Sequence, residues 1–119
     1  MTKGELFLKN IKVKPFDFRA KTIAIKNYYS KVQQHNILAE ECVELAKEAL
    51  KAIRCDYSNK EALIEEMADV YIMIQEIMYY NGVSLNEIYG MAHKKLDRQI
   101  ERIKAEIGYK DERAEGEKD

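Results

Sequence analysis

The 119-residue chain has no tryptophan, a single proline (Pro15), five glycines and two cysteines. So little glycine and proline leaves few sites for tight turns, and abundant Ala, Glu, Lys, Leu and Ile point to an all-α fold. Two cysteines are too few for a disulfide framework. Cys42 falls on the apolar side of its segment and reads as a small core residue rather than a nucleophile. There is no glycine-rich phosphate loop, which excludes Walker and Rossmann sites. Charge of one sign is also lacking: the net charge is −1, so nothing draws the whole chain to nucleic acid or to a membrane, and any phosphate recognition must be local. The apolar run at 70–74 is too short to span a bilayer, and residues 1–10 contain no leader-like apolar stretch. A reducing, cytoplasmic setting is the expectation.

What is present is helical periodicity, in an amount that suits one compact domain. Residues 1–19 form an arm in which Lys9, Lys12 and Lys14 alternate with Ile11 and Val13 before Pro15, a pattern that suggests an extended arm or edge strand. The helical domain spans 20–107. A short helix is expected over 19–29 with Ile23 and Ala24 inward, then a break at Ser30, then helices over 32–54 and 60–80. Asn81-Gly82 is a helix stop, and Ser84 with Glu87 makes a capping-box pattern for the last helix. That helix repeats Leu85, Ile88, Ala92, Leu96, Ile100, Ile103 and Ile107, and Gly108 ends it. The tail at 108–119 is charged and reads as disordered.

Six acidic residues interrupt the apolar helices in two clusters, Glu40-Glu41-Cys42-Val43-Glu44 and Glu65-Glu66-Met67-Ala68-Asp69. At 100° per residue Glu66 shares a stripe with Ala62, Val70, Met73 and Ile77, the side a helix buries. Asp69 lies at the edge of that stripe. In the earlier helix Leu38, Cys42, Leu45, Ala49 and Ile53 define the apolar face, with Glu41 at its margin and Glu44 one turn on. Two carboxylates about 6 Å apart repel by roughly 3 kcal/mol at an effective dielectric near 20, so gathering four of them calls for a cation. Hard oxygen ligands without a His or Cys pair select Mg²⁺, with Mn²⁺ as a possible substitute, over zinc. Glu65 points about 100° away from Glu66 and is expected to face solvent.

Glu40-Glu41-x-x-Glu44 followed by Glu66-x-x-Asp69 resembles the signature of the MazG-like, all-alpha nucleoside triphosphate pyrophosphohydrolases. Leu45 and Ala46, Val70, and the run Asn81-Gly82-Val83-Ser84 add to the resemblance, which covers roughly residues 30–103. It implies a four-helix bundle completed by homo-oligomerisation, usually a homodimer, that hydrolyses a nucleoside triphosphate to the monophosphate and pyrophosphate with Mg²⁺. Carried over by position, Glu41, Glu44, Glu66 and Asp69 hold the metal, and Glu40 orients or deprotonates water, with Glu41 beside it as the second catalytic candidate. On the last helix Lys95 and Arg102 match the family's basic positions, while Gln99 stands where an Asn is frequent. Lys95, Gln99 and Arg102 share one strip and are the substrate-binding candidates. His35, one turn before the first motif, is a further one. Arg98 is read as pointing to the opposite side.

Three other readings compete. A base-selective deoxynucleotidase acting on dCTP or dUTP uses the same carboxylates, because base choice lives in pocket shape. A ferritin-like di-iron bundle needs Glu-x-x-His pairs, and the second motif ends in Asp69. A non-catalytic helical interaction module leaves the acids as solvated faces. Tyr28 and Tyr29 are either packing residues or a stacking surface, and Met67, Met73 and Met78 read as core or dimer interface.

Overall fold

The structure is a computed structural model that describes residues 1–12 and 17–108. Those residues form five α-helices: α1 (Lys3–Asn10), α2 (Phe18–Tyr28), α3 (Lys31–Arg54), α4 (Lys60–Asn81) and α5 (Leu85–Ile107). They contain no strand, and no helix among them is long and apolar enough to cross a membrane. The fold is all-α. It divides into two compact units, 1–82 and 83–119.

Local chemistry sets the helix ends. Ser30 and Gln33 form a reciprocal capping box that starts α3, and Ser84 and Glu87 form another that starts α5. Gly82 and Gly108 close α4 and α5 in the left-handed region, with φ of 61° and 68°, where a Cβ would be strained. The extended arm expected near the N-terminus is instead helical over α1. Thr2 accepts the Glu5 N–H at 3.0 Å, and acid and base sit at the ends the helix dipole favours, Glu5 first and Lys9 last. Lys9 lies in that helix and Ile11 caps it, while Val13, Lys14 and Pro15 lie outside the described residues.

In the first unit α3 and α4 pack along their length, α2 lies against α4, and α1 lies against α2. Between α1 and α2, Phe7 packs on Tyr28 at 5.3 Å in a tilted pair, and Tyr28 meets its neighbour Tyr29 edge-on at 5.1 Å. Ala24, Ala52, Val70 and Met73 are the buried apolar residues.

The face of α3 corrects the sequence pattern. Its buried or half-buried residues include Gln34, Ile37, Leu38, Glu41, Leu45, Glu48 and Ala52, so Leu38 and Leu45 turn inward as expected, whereas Cys42, Ala49 and Ile53 are exposed. Cys42 is therefore not a core residue. Seven-residue steps from Gln34 to Glu41 to Glu48 keep all three on one side, so the inner seam mixes polar with apolar groups. Val43, Leu50 and Ile53 lie outside it, 54%, 60% and 68% exposed. On α4, Val70, Met73 and Glu76 are buried, but Met67, Tyr71 and Ile74 are exposed, so within one chain this helix is not covered on all sides.

Candidate metal centre

Seven-residue and three-to-four-residue spacing brings the two acidic motifs face to face across the α3–α4 seam. Glu41, Glu66 and Asp69 each offer a carboxylate oxygen, and these atoms lie within 4.8 Å of one another. That span is close to the roughly 4.2 Å between opposite ligands of an octahedral Mg²⁺ with bonds near 2.1 Å. Glu41 and Glu66 are half-buried and Asp69 is exposed, so the group opens to solvent on the Asp69 side. Oε2 of Glu66 is buried with no hydrogen-bond partner among the described residues. A cluster of carboxylates that includes a residue with an orphaned buried oxygen is a donor set that suits a hard cation.

The electrostatics agree with the geometry. Burial, then the charges of Asp69 and Glu66, push the Glu41 carboxyl above its usual range. Burial, then Asp69, Glu44 and Glu48, raise that of Glu66. Without a cation the cluster tends to hold protons.

The remaining sequence candidates are placed as follows. Glu44 is outside the three-residue group and lies 3.2 Å from Lys47 in an exposed pair, although its charge acts on both Glu41 and Glu66. Glu40 and Glu65 are exposed. His35 is half-buried, its Nδ1 2.7 Å from the Lys31 carbonyl and its Nε2 3.1 Å from the Asn81 amide, so both ring nitrogens have protein partners. Lys95, Gln99 and Arg102 are exposed on α5 and line a groove of about 150 Å³ together with Arg98. Arg98 thus belongs to the same strip. Three residues advance a helix by 300°, which is 60° short of a full turn, and that puts Arg98 beside Lys95 rather than opposite it.

Two acids that the motifs did not single out also sit on the seam. Glu48 accepts the Asn59 side-chain amide at 2.7 Å, which fixes it one level beyond Glu44. Glu76, two turns past Asp69, is fully buried and accepts the Gln34 amide. Spacing alone could have flagged both, because Glu48 continues the step from Glu41 and Glu76 continues the step from Asp69.

Compared with known proteins, the chain matches no family model, no curated protein and no solved structure.

Proposed function

We propose that the chain is a Mg²⁺-dependent nucleoside triphosphate pyrophosphohydrolase of the MazG-like kind, cleaving a (d)NTP with water to (d)NMP and pyrophosphate. The observation that carries this reading is the convergence of Glu41, Glu66 and Asp69, one acid from the first motif and two from the second, within 4.8 Å. Mg²⁺ held there would supply positive charge that offsets the charge building up on phosphate oxygens during transfer. Glu66 anchors the metal from the seam, Glu41 faces it from α3, and Asp69 completes the set at the open edge. Glu44 tunes the cluster from one turn away, and Glu40 orients or accepts a proton from the attacking water. Lys95 and Arg102, with Gln99 between them, hold phosphate oxygens through charge-assisted hydrogen bonds.

The test is chromatography of products from a panel of ribo- and deoxynucleoside triphosphates, with and without Mg²⁺. Monophosphate and pyrophosphate should appear only with the metal. Diphosphate and orthophosphate would contradict the proposed bond cleavage, and no turnover of any nucleotide would favour a non-catalytic helical module.

The same reading includes a homodimer that completes a four-helix bundle. Ile64, Met67, Tyr71 and Ile74 step along one side of α4 and are 53%, 55%, 57% and 40% exposed. Exposed apolar side chains in a row favour burial against a partner surface, and a second copy is the proposed cover. Light scattering at micromolar concentration should return twice the single-chain mass; the single-chain mass would contradict the proposed pairing.

A further inference from the structure

Polar contacts cross the seam between α3 and α4 at three levels. Near the open end of this hairpin the Gln34 amide donates to Oε2 of Glu76. Seven residues along each helix, Glu41 meets Asp69 in the carboxylate group. Beside the connecting loop the Asn59 amide donates to the Glu48 carboxylate at 2.7 Å and to the Glu48 carbonyl at 3.0 Å. The two helices therefore run antiparallel, and the carboxylate group lies between two ties.

The ties differ in kind. Asn59 stands at the start of α4, close in sequence to Glu48, so its bond secures the loop end. Gln34 and Glu76 are 42 residues apart and are the most enclosed large side chains, 1% and 0% exposed. Oε1 of Glu76 is buried with no hydrogen-bond partner among the described residues, so the bond from Gln34 is what compensates this carboxyl. Parting the pair leaves an amide and a carboxyl unpaired in a dry seam, which is costly. Apolar neighbours are non-directional and accept other alignments, whereas a buried polar pair selects one, as a polar residue does in a coiled-coil seam. The His35–Asn81 contact at the same end is exposed, where water can replace either partner. Between the ties, the charges of Asp69 and Glu66 on α4 act against Glu41 on α3, so the metal-free acids push the helices apart.

We propose that Gln34 and Glu76 are positioning residues for the cation site: their buried hydrogen bond clamps the open end of the α3–α4 hairpin and holds Glu41 opposite Glu66 and Asp69 before the cation arrives. The clamp rests on the reading of those three carboxylates as a cation site. It accounts for a costly polar pair on the seam two turns from the acids, at the end where the chain itself does not join the helices.

Mn²⁺ titration and thermal unfolding of the full metal-free chain test the clamp in two double variants. Gln34→Leu with Glu76→Leu removes both polar groups at similar volume, a change that often leaves stability equal or higher. This variant should melt at or above wild type yet bind Mn²⁺ roughly tenfold or more weakly. Gln34→Glu with Glu76→Gln exchanges the pair, keeps one acid and one amide, and should bind as wild type does. A role confined to stability makes melting temperature and affinity move together; the clamp separates them. If the apolar variant does not fold, the exchanged pair alone decides, by keeping or losing wild-type affinity. The clamp is overturned by wild-type affinity in a folded apolar variant, or by loss of folding or of binding in the exchanged pair. A wild type that binds no Mn²⁺ overturns the cation site itself, and the clamp with it.

Discussion

Glu66→Gln should abolish turnover, by about a thousandfold or more, while the metal-free protein stays as stable as wild type or becomes more so. Glu66 contributes an oxygen to the three-carboxylate group, and its Oε2 is buried with no hydrogen-bond partner among the described residues. Removing its charge takes away a ligand worth several kcal/mol of transition-state stabilisation when the cation is bound. It also relieves repulsion from Asp69, Glu44 and Glu48, the charges that raise the Glu66 pKa after burial. Asp69→Asn and Glu41→Gln should behave alike. Glu44→Gln should cost less, because Glu44 stands outside the group and beside Lys47. Glu65→Gln, on an exposed face, should stay active. Steady-state kinetics and metal-free melting temperatures check the series, and normal activity in Glu66→Gln would remove that residue from the site.

The second large effect is expected on α5. Lys95→Met and Arg102→Met should each lower kcat/KM by about 10- to 150-fold, the equivalent of losing a charge-assisted hydrogen bond of roughly 1.5–3 kcal/mol. Arg98 lines the same groove, so Arg98→Met should join them to a smaller degree. The control is Lys104, which pairs with Glu101 at 3.3 Å and stands nine residues from Lys95, half a turn away at 100° per residue. An exposed pair of this kind contributes little, so Lys104→Met should be nearly silent. Mg²⁺ affinity without nucleotide should change little in all four. A damaging Lys104→Met beside a silent Lys95→Met would assign phosphate binding to the wrong side of α5.

The helix ends were legible in the sequence because caps are local chemistry. Ser30, Ser84 with Glu87, Gly82 and Gly108 act within one turn, and each stands where the pattern puts it. Glu66 in a buried stripe was legible for the same reason, since Val70 and Met73 beside it are both buried. The working face of α3 was legible only in part. Leu38 and Leu45 turn inward as periodicity puts them, but Gln34 and Glu48 join them there while Cys42, Ala49 and Ile53 lie outside. A helix whose inner seam mixes polar and apolar residues, with further apolar residues exposed, blurs the usual reading. Glu76 escaped notice because a helical glutamate is ordinarily solvated, although its seven-residue step from Asp69 was there to be read. The N-terminal helix was hidden by the lysine alternation that runs up to Pro15, which masks the Thr2 cap and the Glu5 and Lys9 placement.

The central claim is that the carboxylates of α3 and α4 form a cation site, and it is tested most directly by melting temperature during a Mg²⁺ titration, without nucleotide, in wild type and Glu66→Gln. A ligand that binds only the folded state stabilises it, by about 2.7 kcal/mol at one hundred times its dissociation constant. The account predicts a saturable rise in wild type that is lost in Glu66→Gln. An equal rise in both proteins, or none in either at millimolar Mg²⁺ or Mn²⁺, would contradict it.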